Sequence, residues 1–205
     1  SSDLYASFLN VIFTYGLETA FFRFYTSENG RPQVYSTALI SIIASSVGLV
    51  AMILLFVNPI AESFPGHDPH VINYVLLFAG ILAADAITAI PFARLRQQNR
   101  ALRFAFVRLV NIGLNIGFNL FFLIGCPSLI AGDPHGSLAS WYDPSFGVGY
   151  VFLANLLASL VTLLLLLPEM MPVRYGFDGA LWNKMIRYGW PLMIAGLAGM
   201  INETF

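Results

Sequence analysis

The chain predicts an all-α fold, a polytopic transmembrane helix bundle with about six spans visible. Three observations predict it. First, only 10% of the residues are charged and 58% are hydrophobic, whereas a soluble domain carries about a quarter charged residues. The mean hydropathy is +0.74, and such a chain has too little polar surface to coat a globule in water. Second, apolar stretches approach the roughly 20 residues that a helix needs to cross the hydrocarbon of a bilayer. Third, all 10 Lys and Arg residues fall in or beside alternate connections between those stretches.

Taken in order, helix A is expected over Leu4–Tyr25 and helix B over Gln33–Val57. Helix C follows over His70–Phe92, helix D over Phe104–Gly125 and helix E over Gly147–Leu167. Helix F starts near Asn183 and continues to Phe205. Turn chemistry marks the breaks: Glu28-Asn29-Gly30-Arg31-Pro32, Asn58-Pro59, Pro65-Gly66, Cys126-Pro127, Asp133-Pro134, Asp143-Pro144 and Pro168. Proline lacks the N–H that a helix interior uses, and Gly and Asn relax into turn conformations.

Orientation follows from the cations. Arg23 and Arg31 flank the A–B turn. Arg94, Arg96, Arg100, Arg103 and Arg108 surround the C–D turn, and Arg174, Lys184 and Arg187 the E–F connection. Residues 58–69 and 126–146 carry no Lys or Arg. This is the positive-inside pattern, and it assigns residues 28–32, 93–103 and 169–182 to the cytoplasm. Helix A then runs inward from outside, so at least one further span is expected before it. The chain is expected to be a piece of a longer protein, since it begins without Met and stops inside an apolar run.

The composition also excludes function classes. A net charge of −1 and the absence of a basic domain argue against a nucleic-acid partner. With Cys126 as the single cysteine, no intrachain disulfide or thiolate metal cluster can form. His67, Asp68 and His70 in a Pro-rich loop are a weak metal pattern, read as loop. No P-loop, nucleophile elbow or zinc-helix signature is present, so no cofactor, metal or catalytic residue is assigned.

The helices are not apolar all round. Asp3, Ser7, Asn10, Thr14 and Glu18 recur every three or four residues on one face of helix A. Arg108, Asn111, Asn115 and Asn119 do the same on helix D. About 200° round the same helix, Gly113 and Gly117 form a GxxxG pair, read as a close-packing face. Helix E carries Asn155, Ser159 and Thr162; helix F carries Gly196, Gly199, Asn202 and Glu203. Thr37, Ser41, Ser45 and Gly48 of helix B read as ordinary packing. Ionised groups inside a bilayer are costly by about 2.5–3.5 kcal/mol each on insertion scales. Glu18, Asp85 and Glu203 therefore point to a polar interior. For the asparagines the competing reading is interhelical hydrogen bonding alone. Glu18 lies about 140° round the helix from Arg23, so it is expected to pair across helices or face water.

Arg23 either snorkels to the interface or contacts an anion at the inner mouth of a cavity. The arginines at 94, 96, 100 and 103 form an inner-face basic segment. It either fixes topology and binds anionic lipid heads, or captures a phosphorylated substrate with its guanidinium forks. Trp141-Tyr142-Asp143-Pro144 reads as an interfacial aromatic anchor after the turn at Asp133-Pro134-His135-Gly136.

Three stretches carry a family resemblance. They are Tyr15-Gly-Leu-Glu-Thr-Ala-Phe-Phe-Arg-Phe-Tyr25, Ala89-Ile-Pro-Phe-Ala-Arg-Leu-Arg-Gln-Gln-Asn-Arg-Ala-Leu-Arg-Phe-Ala105 and Arg187-Tyr-Gly-Trp-Pro-Leu-Met-Ile-Ala-Gly196. With the span order and orientation they resemble the polysaccharide biosynthesis flippases, the lipid-linked oligosaccharide exporters of the multidrug/oligosaccharidyl-lipid/polysaccharide superfamily. The resemblance implies about twelve to fourteen spans in two lobes, in the cytoplasmic membrane of a bacterium. Residues 1–168 would belong to the N-terminal lobe, 169–182 to the cytoplasmic linker and 183–205 to the start of the second lobe. It implies alternating access carrying a polyprenyl-diphosphate-linked glycan to the outer leaflet. Arg23 and Arg108 would then neutralise phosphate, with Asn10, Glu18, Asn111 and Asn115 along the path and the asparagines bonding sugar hydroxyls. Glu18, Asp85 or Glu203 would couple or gate with H+ or Na+. The alternative is a cation-coupled drug or metabolite exporter of the same superfamily. A membrane enzyme is disfavoured, because the longest outer loop holds one His and no Arg or Lys.

Overall fold

The computed structural model describes residues 14, 16–27, 31–62, 69–132, 142–171 and 176–204, with backbone alone at 196–197 and 199–204. Every regular element among them is helical. Helix α1 spans Leu17–Ser27, α2 Pro32–Leu55 and α3 Val57–Glu62. Helix α4 spans Val71–Gln97 and α5 Ala101–Leu120. A turn of π-helix, Phe121–Gly125, joins α5 to α6, Cys126–Gly132. After a 3-10 turn at Pro144–Phe146 come α7, Gly149–Met170, and α8, Gly179–Thr204. Four helices are long and apolar enough to cross a membrane: α2, α4, the continuous α5–α6 rod over Ala101–Gly132, and α7.

Several expected boundaries move, each for a local reason. Helix A is not one uninterrupted helix, because Gly16 sits at φ +71 before α1 begins. The part expected over 4–13 lies outside the described residues. Helix B pauses at Phe56, whose N–H still reaches Met52 O, and resumes as α3 through Pro59. Helix C continues through Pro91 to Gln97, so Arg94 and Arg96 lie in its last turn rather than in a loop. It is closed by Asn99 at φ 55. Arg100 N–H bonds Leu95 O and Asn99 N–H bonds Arg96 O, the two bonds of a Schellman motif.

Cys126-Pro127 is not a break. Proline lacks a donor and crowds the carbonyl four residues back. The helix widens before it, and Cys126 N–H reaches Phe121 O instead. Helix E runs through Pro168 to Met170, and helix F starts at Gly179 rather than near Asn183. There Asp178 caps α8 by accepting from the N–H groups of Ala180 and Leu181.

Helix α4 is central and packs on α7, α2, α1, α3 and α5. α7 lies between α4 and α5, while α8 leans on α1 and α2. Small residues permit close approach where hydrocarbon solvent removes the usual hydrophobic drive. Ala79, Ala84 and Ala86 of α4 and Ala154 and Ala158 of α7 are buried. The largest core joins Phe21 of α1, Tyr35 and Leu39 of α2, Ile90 of α4 and Met185 of α8.

The helices alternate in direction, as the contacts at the two ends show. At one end Tyr35 OH and Arg94 Nη1 both donate to Glu169 O, and Gln97 Nε2 donates to Thr26 Oγ1. At the other end His70 Nε2 lies 3.1 Å from Ser145 Oγ and Tyr74 OH donates to Phe146 O. Arg94, Arg96, Arg100 and Arg103 thus share one end. The outward face of α5 is apolar, with Leu102, Phe106, Leu109, Ile112 and Ile116 all more than half exposed. Such a face suits lipid rather than water.

Gly113 and Gly117 lie on that outward side, and a Cβ at either would meet nothing within 4 Å. The expected close-packing face of helix D is therefore open among the described residues. Close glycine packing occurs instead between Gly16 and Gly189, where a Cβ on Gly16 would overlap the Gly189 carbonyl.

Candidate functional site: a charged cavity between four helices

Helical periodicity places Asp85, Thr88, Ala89, Phe92 and Arg96 on one face of α4. Asn155, Ser159 and Thr162 of α7 face them, with Arg108 and Asn111 of α5 on one flank and Thr14 and Glu18 on the other. Together these side chains line a cavity of about 260 Å³.

Hydrogen bonds hold its walls. Ser159 Oγ donates to Asp85 Oδ1 at 2.8 Å. Asn111 Nδ2 donates to Thr162 Oγ1 at 2.9 Å, and Thr162 Oγ1 donates on to Ala158 O. One turn deeper, Asn115 Nδ2 donates to Asn155 Oδ1 at 3.1 Å, and Asn119 Nδ2 donates to both oxygens of Asn115. The asparagine stripe of helix D is therefore a seam to α7, with Asn111 and Asn155 also reaching the cavity.

The charges balance. Arg96 forms an ion pair with Glu18, closing the gap between α4 and α1. The Arg108 guanidinium lies 4.6 Å from the Phe92 ring centroid and acts electrostatically on Asp85. A cavity with two carboxylates, two guanidiniums and amide and hydroxyl groups matches a polar, charged ligand rather than an oily one.

Of the residues singled out from sequence, Glu18, Asp85, Arg108 and Asn111 come together here. Glu18 pairs across helices with Arg96 and also lines the cavity, so both of its expected environments meet there. Arg23 sits elsewhere: its guanidinium lies 4.2 Å over the Tyr188 ring and ties α1 to α8. Asn115 is in the α5–α7 seam. Asn10 lies outside the described residues, as does the side chain of Glu203.

The basic segment separates into two roles. Arg96 belongs to the cavity. Arg100 Nη1 and Arg103 Nε lie 3.3 and 3.1 Å from Glu169 Oε1, while Arg94 Nη1 donates to Glu169 O and stacks 4.4 Å over Tyr35. Glu169 was not singled out from sequence. Pro168 reads as a helix stop, which assigns Glu169 to the 169–182 connection. Its signal in the sequence is a lone acid at the end of an apolar run, while the arginines it meets are brought to it only by the fold. Arg96 was legible as a cavity residue only once helix C is extended to Gln97, which puts it in phase with Asp85.

At the opposite end Asp143 accepts from Ser145 Oγ at 2.7 Å and Ser145 N–H at 2.9 Å. These bonds, the hydroxyl first, and nearby His70 hold its carboxyl below the ordinary value of 3.8. Tyr142 stacks on Tyr150 at 4.6 Å; Trp141 and the turn at Asp133-Pro134-His135-Gly136 lie outside the described residues. No group of three His, Cys, Asp or Glu side chains among the described residues is placed to hold a metal ion.

Comparison with family models, with curated proteins and with solved structures gave no match for this chain.

Proposed function

We propose that the chain is part of a lipid-linked oligosaccharide flippase in a bacterial cytoplasmic membrane. Its cargo is a polyprenyl-diphosphate-linked glycan, moved from the inner to the outer leaflet by alternating access for surface polysaccharide synthesis. It is a transporter, not an enzyme. The observation that carries this reading is the placement of Arg108, Asn111 and Asn155 on one polar cavity within a bundle of apolar helices. A guanidinium matches diphosphate oxygens, and amides match sugar hydroxyls. The three stretches that resemble the flippases supply the cargo class, and the lipid tail stays in the bilayer.

Arg108 replaces Arg23 as the leading phosphate contact, since Arg23 faces Tyr188. Glu18 and Asp85 are the carboxylates placed to couple transport to H+ or Na+. Their presence on the cavity is also the observation that favours the second reading, a cation-coupled drug or metabolite exporter of the same superfamily.

One experiment separates the two. The gene is deleted in its host, lipid-linked sugars are extracted, and their leaflet is read by access to an impermeant enzyme. A glycan lipid accumulating on the cytoplasmic side, with loss of a surface polymer, is expected. Normal glycan lipids with new sensitivity to cationic compounds would overturn the flippase in favour of the exporter.

A further inference from the structure

The charged side chains on the cavity are not equally engaged. Arg96 of α4 is paired with Glu18 of α1, and Asp85 accepts from Ser159. Arg108 is held differently. Its guanidinium lies 4.6 Å from the Phe92 ring centroid and 6.0 Å from that of Phe104. It donates no hydrogen bond and forms no ion pair among the described residues. An aromatic face steadies a guanidinium without accepting from its N–H groups. Arg108 therefore lines the cavity with its donors open to an incoming group.

The two arginines share a support. Arg96 lies 5.7 Å from the Phe104 ring centroid, and Phe104 packs edge-on against Phe92 at 5.4 Å. One aromatic pair thus carries both guanidiniums. Arg96 also lies 5.2 Å from the Phe22 ring centroid, so rings of α1 and α5 position it besides its acid. The Arg96–Glu18 pair is partly exposed on both sides, and such pairs hold weakly. Helix α1 does not depend on it. Leu17, Ala20 and Phe21 are buried in the main core, and Gln97 Nε2 donates to Thr26 Oγ1. Glu18 can release Arg96 without freeing the helix that carries it.

We propose that Glu18 is an internal counter-ion, which holds Arg96 in the absence of cargo and yields it to the cargo's phosphate groups. A diphosphate brings two adjacent anionic groups. Arg108 takes one with its open donors, and the other needs Arg96, whose N–H groups Glu18 occupies. Carboxylate and phosphate oxygens compete for the same fork. The exchange leaves Glu18 unpaired in a cavity that has just gained negative charge, and a co-transported cation offsets that cost. This inference rests on the flippase reading of the cavity and adds the group with which the cargo competes.

The test is binding of inorganic diphosphate to the purified protein in detergent, read by isothermal titration calorimetry. Glu18→Gln, Arg96→Gln and the double variant form a cycle, with size-exclusion profiles to show that each is folded. Removing the competing acid is expected to tighten binding by about two- to fivefold, the range set by a partly exposed ion pair. Arg96→Gln is expected to weaken binding, and Glu18→Gln to give no gain in that background. Arg96→Lys, which keeps the cation, is expected to restore part of the gain. An equal gain with and without Arg96 would show that Glu18 acts through overall charge alone and would overturn the exchange. No gain from Glu18→Gln beside an intact Arg96 would overturn it too, and in both cases the diphosphate binding would leave the flippase reading standing. Binding by none of the variants would overturn the phosphate assignment of the cavity, and the exchange with it.

Discussion

The Ser159 hydroxyl donates to the Asp85 carboxylate at 2.8 Å, joining α7 to α4 beside the charged cavity. Hydrogen bonds to a charged group are worth about 1.5–3 kcal/mol, and a carboxylate that loses its donor keeps its desolvation cost. Ser159→Ala is therefore expected to destabilise by about 1–3 kcal/mol. Asp85→Asn, which keeps an acceptor and removes the charge, is expected to be neutral or stabilising. Thermal unfolding in detergent, followed by size-exclusion chromatography, checks both. An Asp85→Asn variant less stable than Ser159→Ala would show that the charge itself holds the helices.

Glu169 is 5% exposed and gathers Arg100 and Arg103 on its carboxylate, while its backbone carbonyl accepts from Tyr35 and Arg94. Breaking a buried pair costs about 3–5 kcal/mol. Here the arginines are half exposed and can turn to water, so Glu169→Gln is expected to cost about 1–3 kcal/mol. The backbone contacts survive that substitution, so the folded helix content in circular dichroism is expected to stay unchanged.

The glycines give opposite expectations. Gly16 has φ +71 and abuts the Gly189 carbonyl. Gly16→Ala adds about 1–2 kcal/mol of backbone strain, before any displacement of α8 from α1. At Gly113 and Gly117 a Cβ meets open space, so alanine there is expected to stabilise by up to about 1 kcal/mol. Parallel melts of the three variants read the difference directly. Destabilisation at Gly113 or Gly117 would mean that another helix covers that face.

Asp143 supplies a pH dependence. Its carboxyl is held below 3.8 in the folded state by Ser145. The stabilisation is thus present above the unfolded value and is lost as pH falls through the depressed folded value. A carbon NMR titration is expected to place Asp143 below 3.8, with Ser145→Ala returning it towards that value.

These expectations rest on features of unequal visibility in the sequence. The all-helical class and the alternation of basic and non-basic ends were legible, because apolar length and charge placement are local properties. The stripe of Asn111, Asn115 and Asn119 followed from a 3.6-residue period, whereas Asp85 stood out only as a carboxylate in an apolar span, and its shared face with Thr88 and Phe92 emerges with the cavity. What occupies the other side of a face is tertiary. Nothing in the sequence near Arg23 names Tyr188, and nothing near Gly113 says that its side of α5 stays open. Proline misled twice, at Pro127 and Pro168. A helix in an apolar setting gains more by keeping its remaining backbone bonds than by ending at one missing donor. The extension past Pro168 is what carried Glu169 from the expected linker into the helix.

Arg108 is the residue on which the transport reading turns. The direct measurement is translocation of a polyprenyl-diphosphate-linked sugar by purified protein in vesicles, comparing the unaltered chain with Arg108→Ala and Arg108→Lys. Loss of a transition-time phosphate contact worth about 1.4 kcal/mol or more slows transport at least about tenfold. The alanine variant is expected to show that loss and the lysine variant to recover part of the rate. Translocation by Arg108→Ala at the unaltered rate would contradict the assignment of this cavity to the cargo's diphosphate.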